Sequence, residues 1–268
     1  LKSSLSNGGR VALGLFLADS RSKGFRFKAS RIRRNRFEHQ QHGHTVTKPE
    51  AEVAKNKYIE KMGEALGSQF DALFREVAWL HFRWGEYVEL VDSPTRVEVL
   101  NQAASALFRI ILEALWEQTL LHIARLTDRP KSLGKENLTI LNLPELVNDH
   151  EMKKTLVELV ETAESKTKFC RDWRNRHIAH RDLDLAMNKS AKELDTASIS
   201  LVDEALASIA KVLNEVSLHY TDGALHFTRG VGGAGNALRL LHLLNHGMRA
   251  QMGKLPGASS KEDYPLEL

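Results

Sequence analysis

Between residues 66 and 91 the apolar side chains Leu66, Phe70, Leu73, Val77, Trp84, Val88 and Val91 recur at steps of three, four or seven. That spacing gathers them on one face of an α-helix; a strand, whose side chains alternate, would scatter them over both faces. Ser93-Pro94 follows and reads as an N-cap with proline at N1, where the missing amide hydrogen has no partner to lose. A second helix then runs to about Arg125, with an inward stripe of Val97, Leu100, Ala104, Leu107, Ile111, Leu115 and Ile123. Phe108, Leu112, Trp116 and Leu120 make it apolar on a further side, as in a helix at the centre of a bundle or in a dimer interface. The same period predicts helices over roughly 151–178, 200–220 and 236–251, the second of these with Ser200 and Asp203 in capping-box-like spacing. Residues 128–143, with Pro130 and Gly134, read as a loop, and Pro144 as N1 of a short helix. No stretch alternates as a strand. Only 6 prolines interrupt 268 residues, so the expected fold class is all-α, a bundle of about five helices over 49–253, with a flexible C-terminus over 254–268.

The formal net charge of +4 suggests a basic protein, but its distribution does not. Residues 1–48 hold 11 Lys and Arg against two acids, Asp19 and Glu38, so the rest of the chain is mildly acidic. A nucleic-acid reading of the helical region therefore needs a local cluster. The first 48 residues are rich in charge and poor in apolar periodicity, and are expected to be a disordered basic tail. Three readings of it stand: an Arg-rich targeting peptide, a basic arm that touches RNA, or non-native sequence from an over-extended reading frame with the true start near Val46. The longest apolar run, residues 11–18, is far short of the roughly 20 that a membrane helix needs, so no membrane partner is expected. The single cysteine, Cys170, closes no internal disulfide and suits a reducing cytoplasm.

One segment stands out chemically. Lys166, Lys168, Arg171, Arg174, Arg176 and Arg181 face a single acid, Asp172, and His177 and His180 lie among them. The apolar stripe Leu156, Val160, Ala163, Thr167 and Cys170 continues, step for step, onto Arg174 and His177. A guanidinium thus takes an inward position. Burying it unpaired costs several kcal/mol, so it is either paired or placed for function.

The string Arg174-Asn175, four further residues, then His180 resembles the signature of the HEPN superfamily, an Arg often followed by a polar residue and then a His. The wider stretch 173–182, ending in His-Ile-Ala-His-Arg-Asp, looks most like the abortive-infection AbiU-type HEPN branch. The resemblance covers the helical layout from about residue 48 to 251. It implies a HEPN-like helical bundle and a metal-independent endoribonuclease without cofactor, acting on RNA as a homodimer, in the setting of a toxin or phage-defence effector with an antitoxin or regulatory protein as a further partner. It implies catalytic roles for Arg174, Asn175 and His180, with Lys166, Lys168, Arg171, Arg176 and Arg181 contacting the RNA backbone. These residue types fit that chemistry: an imidazole titrates near neutral pH, and a guanidinium grips a phosphate bidentately. On an ideal helix Arg174 and His180 lie about 120° apart, so they share a face only if the helix ends or bulges near Ile178. His177, three residues from Arg174, is the rival histidine. The alternative function is a non-catalytic helical module that binds RNA, a nucleotide or a protein through the same cluster.

Other signals carry less. Residues 230–235 are glycine-rich but lack the Lys-Ser/Thr of a phosphate loop and follow no strand, which makes them a connector. His242 and His246 have ligand spacing, but Leu243 stands where a zinc protease has Glu. His39, His42 and His44 fall together in the tail by chance, so no metal site is expected. Cys170 reads as a small core residue.

Overall fold

A computed structural model of the protein describes residues 48–252 apart from 133, 181, 188–191 and 228–235. The basic tail, the C-terminal stretch 253–268, the glycine-rich connector 230–235 and Arg181 lie outside the described residues.

The chain forms α1 (Lys48–Met62), α2 (Glu64–Val91), α3 (Pro94–Leu126), α4 (Leu143–Leu146), α5 (His150–Trp173), α6 (Leu183–Ala186), α7 (Ile199–Thr221) and α8 (Ala237–Met252). The five long helices expected from the apolar period are α2, α3, α5, α7 and α8, and the fold is all-α as expected. The period does not separate α1, which turns back through Gly63. That residue has φ 81°, a left-handed conformation that only glycine adopts cheaply. Four residues on, a Cβ at Gly67 would sit 2.6 Å from the backbone of Tyr58 and Ile59, so α1 and α2 cross in direct backbone contact.

The α2 stripe is buried as its spacing requires, from Leu66 through Val91. Ser93 caps α3, its hydroxyl accepting from the Arg96 amide at 3.3 Å, with Pro94 in the first turn. Along α3 the expected inward stripe holds at Val97, Leu100 and Ile123, which are buried, and is corrected at Leu107. Ala104 departs from helical geometry (φ −167°, ψ 70°), and the kink rotates the following turns. Phe108, Leu112, Trp116 and Leu120 go inward, while Leu107 is 55% exposed and Ile110 64%. By length and composition alone α3 reaches the threshold of a membrane span, with a mean hydropathy of 1.2 over its best window. Arg109 and Glu113 interrupt it, and it packs against α2, α5 and α8 as a bundle helix.

Two further corrections concern local structure. Inside the stretch read as loop, β1 (Lys131–Ser132) pairs antiparallel with β2 (Lys135–Glu136), an exposed hairpin too short to show alternation. The cap of α7 is Ser198, whose hydroxyl accepts from the Leu201 amide at 3.3 Å. Ser200 lies inside the helix, and Asp203 instead accepts from Trp84 Nε1 at 2.7 Å, bridging α7 to α2. The core lies between α2, α3, α5 and α7, with Phe70, Leu120, Leu156 and Leu206 fully buried, and α8 covers α2 and α3. Glu86 of α2 accepts from the first amide of α8 at 2.6 Å, offsetting one of the unpaired donors at that terminus.

Candidate functional site

The last turns of α3 and α5 are bolted together by buried hydroxyls. Thr167 donates to Thr127 Oγ1 at 3.1 Å, while Thr127 donates back to its own helix at Ile123 O, also 3.1 Å. Arg171 Nη2 donates to the Thr127 carbonyl at 2.8 Å, satisfying an oxygen that the end of α3 leaves without an intrahelical partner. This junction sets Asp128, just past the end of α3, opposite Arg174, just past the end of α5.

At Arg174 the α-helix gives way to a π-turn over Arg174–Ile178, closed by the Ala179 amide donating to the Arg174 carbonyl at 2.8 Å. One extra residue is accommodated per turn, a device found often where a helix carries a site. Arg174 is largely but not wholly buried, its side chain 22% exposed. Its Nη1 forms an ion pair with both carboxylate oxygens of Asp128, and its Nε donates to Asn175 Oδ1 at 3.0 Å. Nη2 makes no hydrogen bond among the described residues. The guanidinium is thus oriented on two edges and open on the third. Asp172 and Asp182, the acids that flank the motif in sequence, both serve Arg176 instead, at 3.5 Å and 3.6 Å.

His177, within the same π-turn, has its ring edge-on to Trp173 at 5.4 Å and its Nε2 3.3 Å from Glu117 Oε1 of α3. Trp173 in turn meets Trp116 edge-on at 6.5 Å. His180 lies beyond the π-turn in a bend, exposed, with no hydrogen bond or ion pair among the described residues. The structure therefore joins Arg174 to Asn175 and Asp128, and His177 separately to Trp173 and Glu117. It leaves His180 on the adjoining surface, free of local partners.

The five expected RNA-contacting cations have different fates. Lys168 is exposed without a partner among the described residues, and Lys166 pairs with Glu204 at 2.7 Å. Arg171 is committed to Thr127. Arg176 is committed to the segment after α6, donating to the carbonyls of Lys192 and Glu193 while Asp172 accepts from the Asp195 amide at 2.9 Å. Arg181 is outside the described residues. Sequence reasoning missed Asp128 and Glu117, the carboxylates that hold the motif's Arg and His. No local spacing links them to the motif; the one available hint was an acid directly after the end of a helix expected to pack centrally. Cys170 is fully buried, and burial pushes its thiol up, which makes it an inert core residue. Among the described residues no group of three or more His, Cys, Asp or Glu is placed to hold a metal ion.

A family model described as HEPN_AbiU2 matches residues 63–237, nearly from the start of α2 to the start of α8, with the whole motif inside. The chain belongs to the AbiU2 family of HEPN domains. That places it among abortive-infection HEPN domains and accounts for the helical layout around the Arg174 turn. No curated protein and no solved structure matches the chain. In this HEPN domain the match leaves out α1 and nearly all of α8, the two helices that pack on the outside of the four-helix core.

Proposed function

We propose that this HEPN domain is a metal-independent endoribonuclease of cytoplasmic RNA. Arg174, open at Nη2 and oriented by Asp128 and Asn175, grips the scissile phosphate and stabilises the charge that develops on it. A histidine removes the proton from the ribose 2′-hydroxyl as its oxygen attacks phosphorus. The bond to the 5′-oxygen breaks, that oxygen takes up a proton, and the products are a 2′,3′-cyclic phosphate and a 5′-hydroxyl end. His180 is assigned the acid–base role because it stands exposed and unpaired next to the motif, whereas His177 is engaged with Glu117. Lys168 and Lys166 supply backbone contacts alongside. The observation that carries the reading is the half-open Arg174 at a helix end, held by a carboxylate from just past the end of α3, with the exposed His180 six residues on.

One such motif supplies one acid–base group to a reaction served best by two. A two-fold homodimer brings the second copy. The exposed apolar ridge of α3, Ala106, Leu107, Ile110 and Ala114, supports that assembly: it faces solvent and leads along the helix to Glu117, which touches His177. Ile110→Asp is expected to convert a dimer into a monomer near 30 kDa by sedimentation; a wild-type chain that is already monomeric and fully active would remove the composite site. For the reaction, the test is cleavage of total RNA in EDTA by the wild-type chain and by Arg174→Ala and His180→Ala. Salt-sensitive RNA binding without a cyclic-phosphate product would replace the enzyme with a binding module.

A further inference from the structure

His180 has no hydrogen bond or ion pair of its own among the described residues, so its ring is aimed only by the backbone that carries it. A histidine that exchanges protons with a substrate has to be held in place, and the usual device is a second side chain bonded to the ring. Here the holding falls to the chain on either side. Before His180, the π-turn is closed by the Ala179 amide donating to the Arg174 carbonyl at 2.8 Å. After it, the Asp182 amide donates to the Arg176 carbonyl at 3.1 Å, and the Asp182 carboxylate stands 3.6 Å from Arg176 Nε. The same carboxylate accepts from the Leu185 amide at 3.0 Å and so caps α6. Arg176 thus joins the two ends of the stretch that contains His180, once through its backbone and once through its side chain.

The other edges of the guanidinium reach the segment that leads into α7. Nη1 donates to the Glu193 carbonyl at 3.2 Å and lies 3.5 Å from both carboxylate oxygens of Asp172, and Nη2 donates to the Lys192 carbonyl. Two residues on, both backbone groups of Asp195 are taken by the last turn of α5. Its amide donates to Asp172 at 2.9 Å, and its carbonyl accepts from Trp173 Nε1 at 2.8 Å. Residues 192–195 therefore lie as a strap along the end of α5 and the π-turn. A planar fork of five N–H donors suits two carboxylates and two carbonyls at once, where an ammonium offers three donors at a single point. Each of the three Arg176 nitrogens faces a protein oxygen, whereas Arg174 keeps Nη2 open.

We propose that Arg176 is a positioning residue of the cleavage site, which fixes His180 relative to Arg174 by clasping Asp182 and the 192–195 strap to the π-turn. Arg176 then grips no phosphate, contrary to the role that the sequence resemblance implies for it. Its effect on cleavage rests on the ribonuclease reading; the clasp itself does not.

Two variants of the full chain test the clasp. Arg176→Ala removes it whole. Asp182→Asn removes the charge that faces Arg176 but keeps an oxygen to cap α6, since asparagine caps a helix about as well as aspartate. The first measurement needs no cleavage: amide hydrogen exchange followed by NMR. Exchange at Asp182 and Asp195 is expected to quicken by about tenfold or more in Arg176→Ala and by a smaller factor in Asp182→Asn, while Val160 and Ala163 in the middle of α5 stay as slow as in the wild type. Unchanged exchange at Asp182 and Asp195 overturns the clasp. If Arg176→Ala loses protection throughout α5, Asp182→Asn alone decides, and unchanged exchange there overturns it equally.

The second measurement is cleavage of a single-stranded RNA in EDTA. Arg176→Ala is expected to lower kcat by roughly 10–100-fold, the order of loss that misplacing a reacting group by about 1 Å produces, with KM changed by less than about threefold. A raised KM at unchanged kcat, with the salt slope of RNA binding reduced by about 0.7, is the mark of a lost phosphate contact and overturns the positioning role. So does a variant whose kcat and KM both match the wild type. A wild-type chain that cuts no RNA defeats the ribonuclease reading, and exchange at Asp182 and Asp195 then decides the clasp alone.

Discussion

Two constellations in this chain combine an arginine, a histidine and a carboxylate, and burial separates what they can do. Between α2 and α3, His122 is buried, with Arg83 Nη2 2.9 Å from its Nδ1 and Glu76 Oε2 2.7 Å from its Nε2. The neutral ring accepts from the arginine on one side and presents its N–H to the carboxylate on the other. At the end of α5, Arg174 pairs directly with the carboxylate of Asp128, and His180 is left in solvent beyond the π-turn. The first set is buried and ties two helices together. The second has an open guanidinium edge and an imidazole with no partner among the described residues, which is what a group that must meet a substrate and exchange protons requires. Composition does not distinguish the two; the place where the helix ends does.

The largest test of that contrast is substitution of the histidines. His180→Ala is expected to lower RNA cleavage by roughly 10²–10⁴-fold, the usual weight of an acid–base group, with no change in thermal midpoint because the ring holds nothing together. Arg174→Ala is expected to lower cleavage by a comparable 10²–10³-fold. It also costs some stability, since Asp128 loses its partner. Asp128→Asn in the same background recovers that stability without restoring cleavage. His122→Ala should do the reverse of His180→Ala, destabilising the fold by about 3 kcal/mol while the folded fraction keeps its specific activity. Equal losses of activity from His122→Ala and His180→Ala, measured per folded molecule, would break the comparison.

Titration offers a second, smaller test. Burial lowers the His122 pKa, Arg83 lowers it further, Glu76 raises it and Arg125 lowers it, and the ring ends at about 4 against its ordinary 6.5. The unfolded chain therefore binds a proton at His122 that the folded chain refuses. The stability this site contributes is whole above pH 6.5 and is lost as pH falls from 6.5 to about 4, by up to about 3 kcal/mol. Urea midpoints at pH 7 and pH 4.5 measure the loss, and His122→Gln should flatten it. An unchanged slope in that variant would show that other groups carry the acid sensitivity.

What could be read from the sequence follows the same division between local and distant causes. The stripe Leu66 to Val91, the Ser93-Pro94 start of α3 and the all-α class depend on spacings within one helix, and these were legible. One position of the α3 stripe was not: Leu107, past the kink at Ala104, is exposed, with no glycine or proline to mark the kink. At the site, the Arg174-Asn175 and His180 pattern is local, and it pointed to the family to which the chain belongs. The partner of Arg174 is 46 residues away, just past the end of α3, and only the packing of α3 against α5 through Thr127 and Thr167 reveals it. Asp172 and Asp182, near in sequence, pair with Arg176.

The smallest expected effect separates two neighbouring lysines. Lys166 is held by Glu204 at 2.7 Å with both side chains about half exposed, a pair worth only some 0.2–1 kcal/mol. Lys168, two residues on, is exposed and unpaired among the described residues. If both lie on the RNA path, each contributes to the salt dependence of binding, but Lys166 must first give up Glu204. Lys168→Ala is therefore expected to reduce the slope of log affinity against log salt by about 0.7, the increment for one phosphate on a single strand, and to leave stability untouched. Lys166→Ala should reduce the slope by less and lower stability by under about 1 kcal/mol. Filter binding of a single-stranded RNA across a salt series resolves the two. A slope unchanged in both variants means that the α5 surface before the motif does not meet the RNA backbone, and the path must then run on the far side of Arg174, past His180.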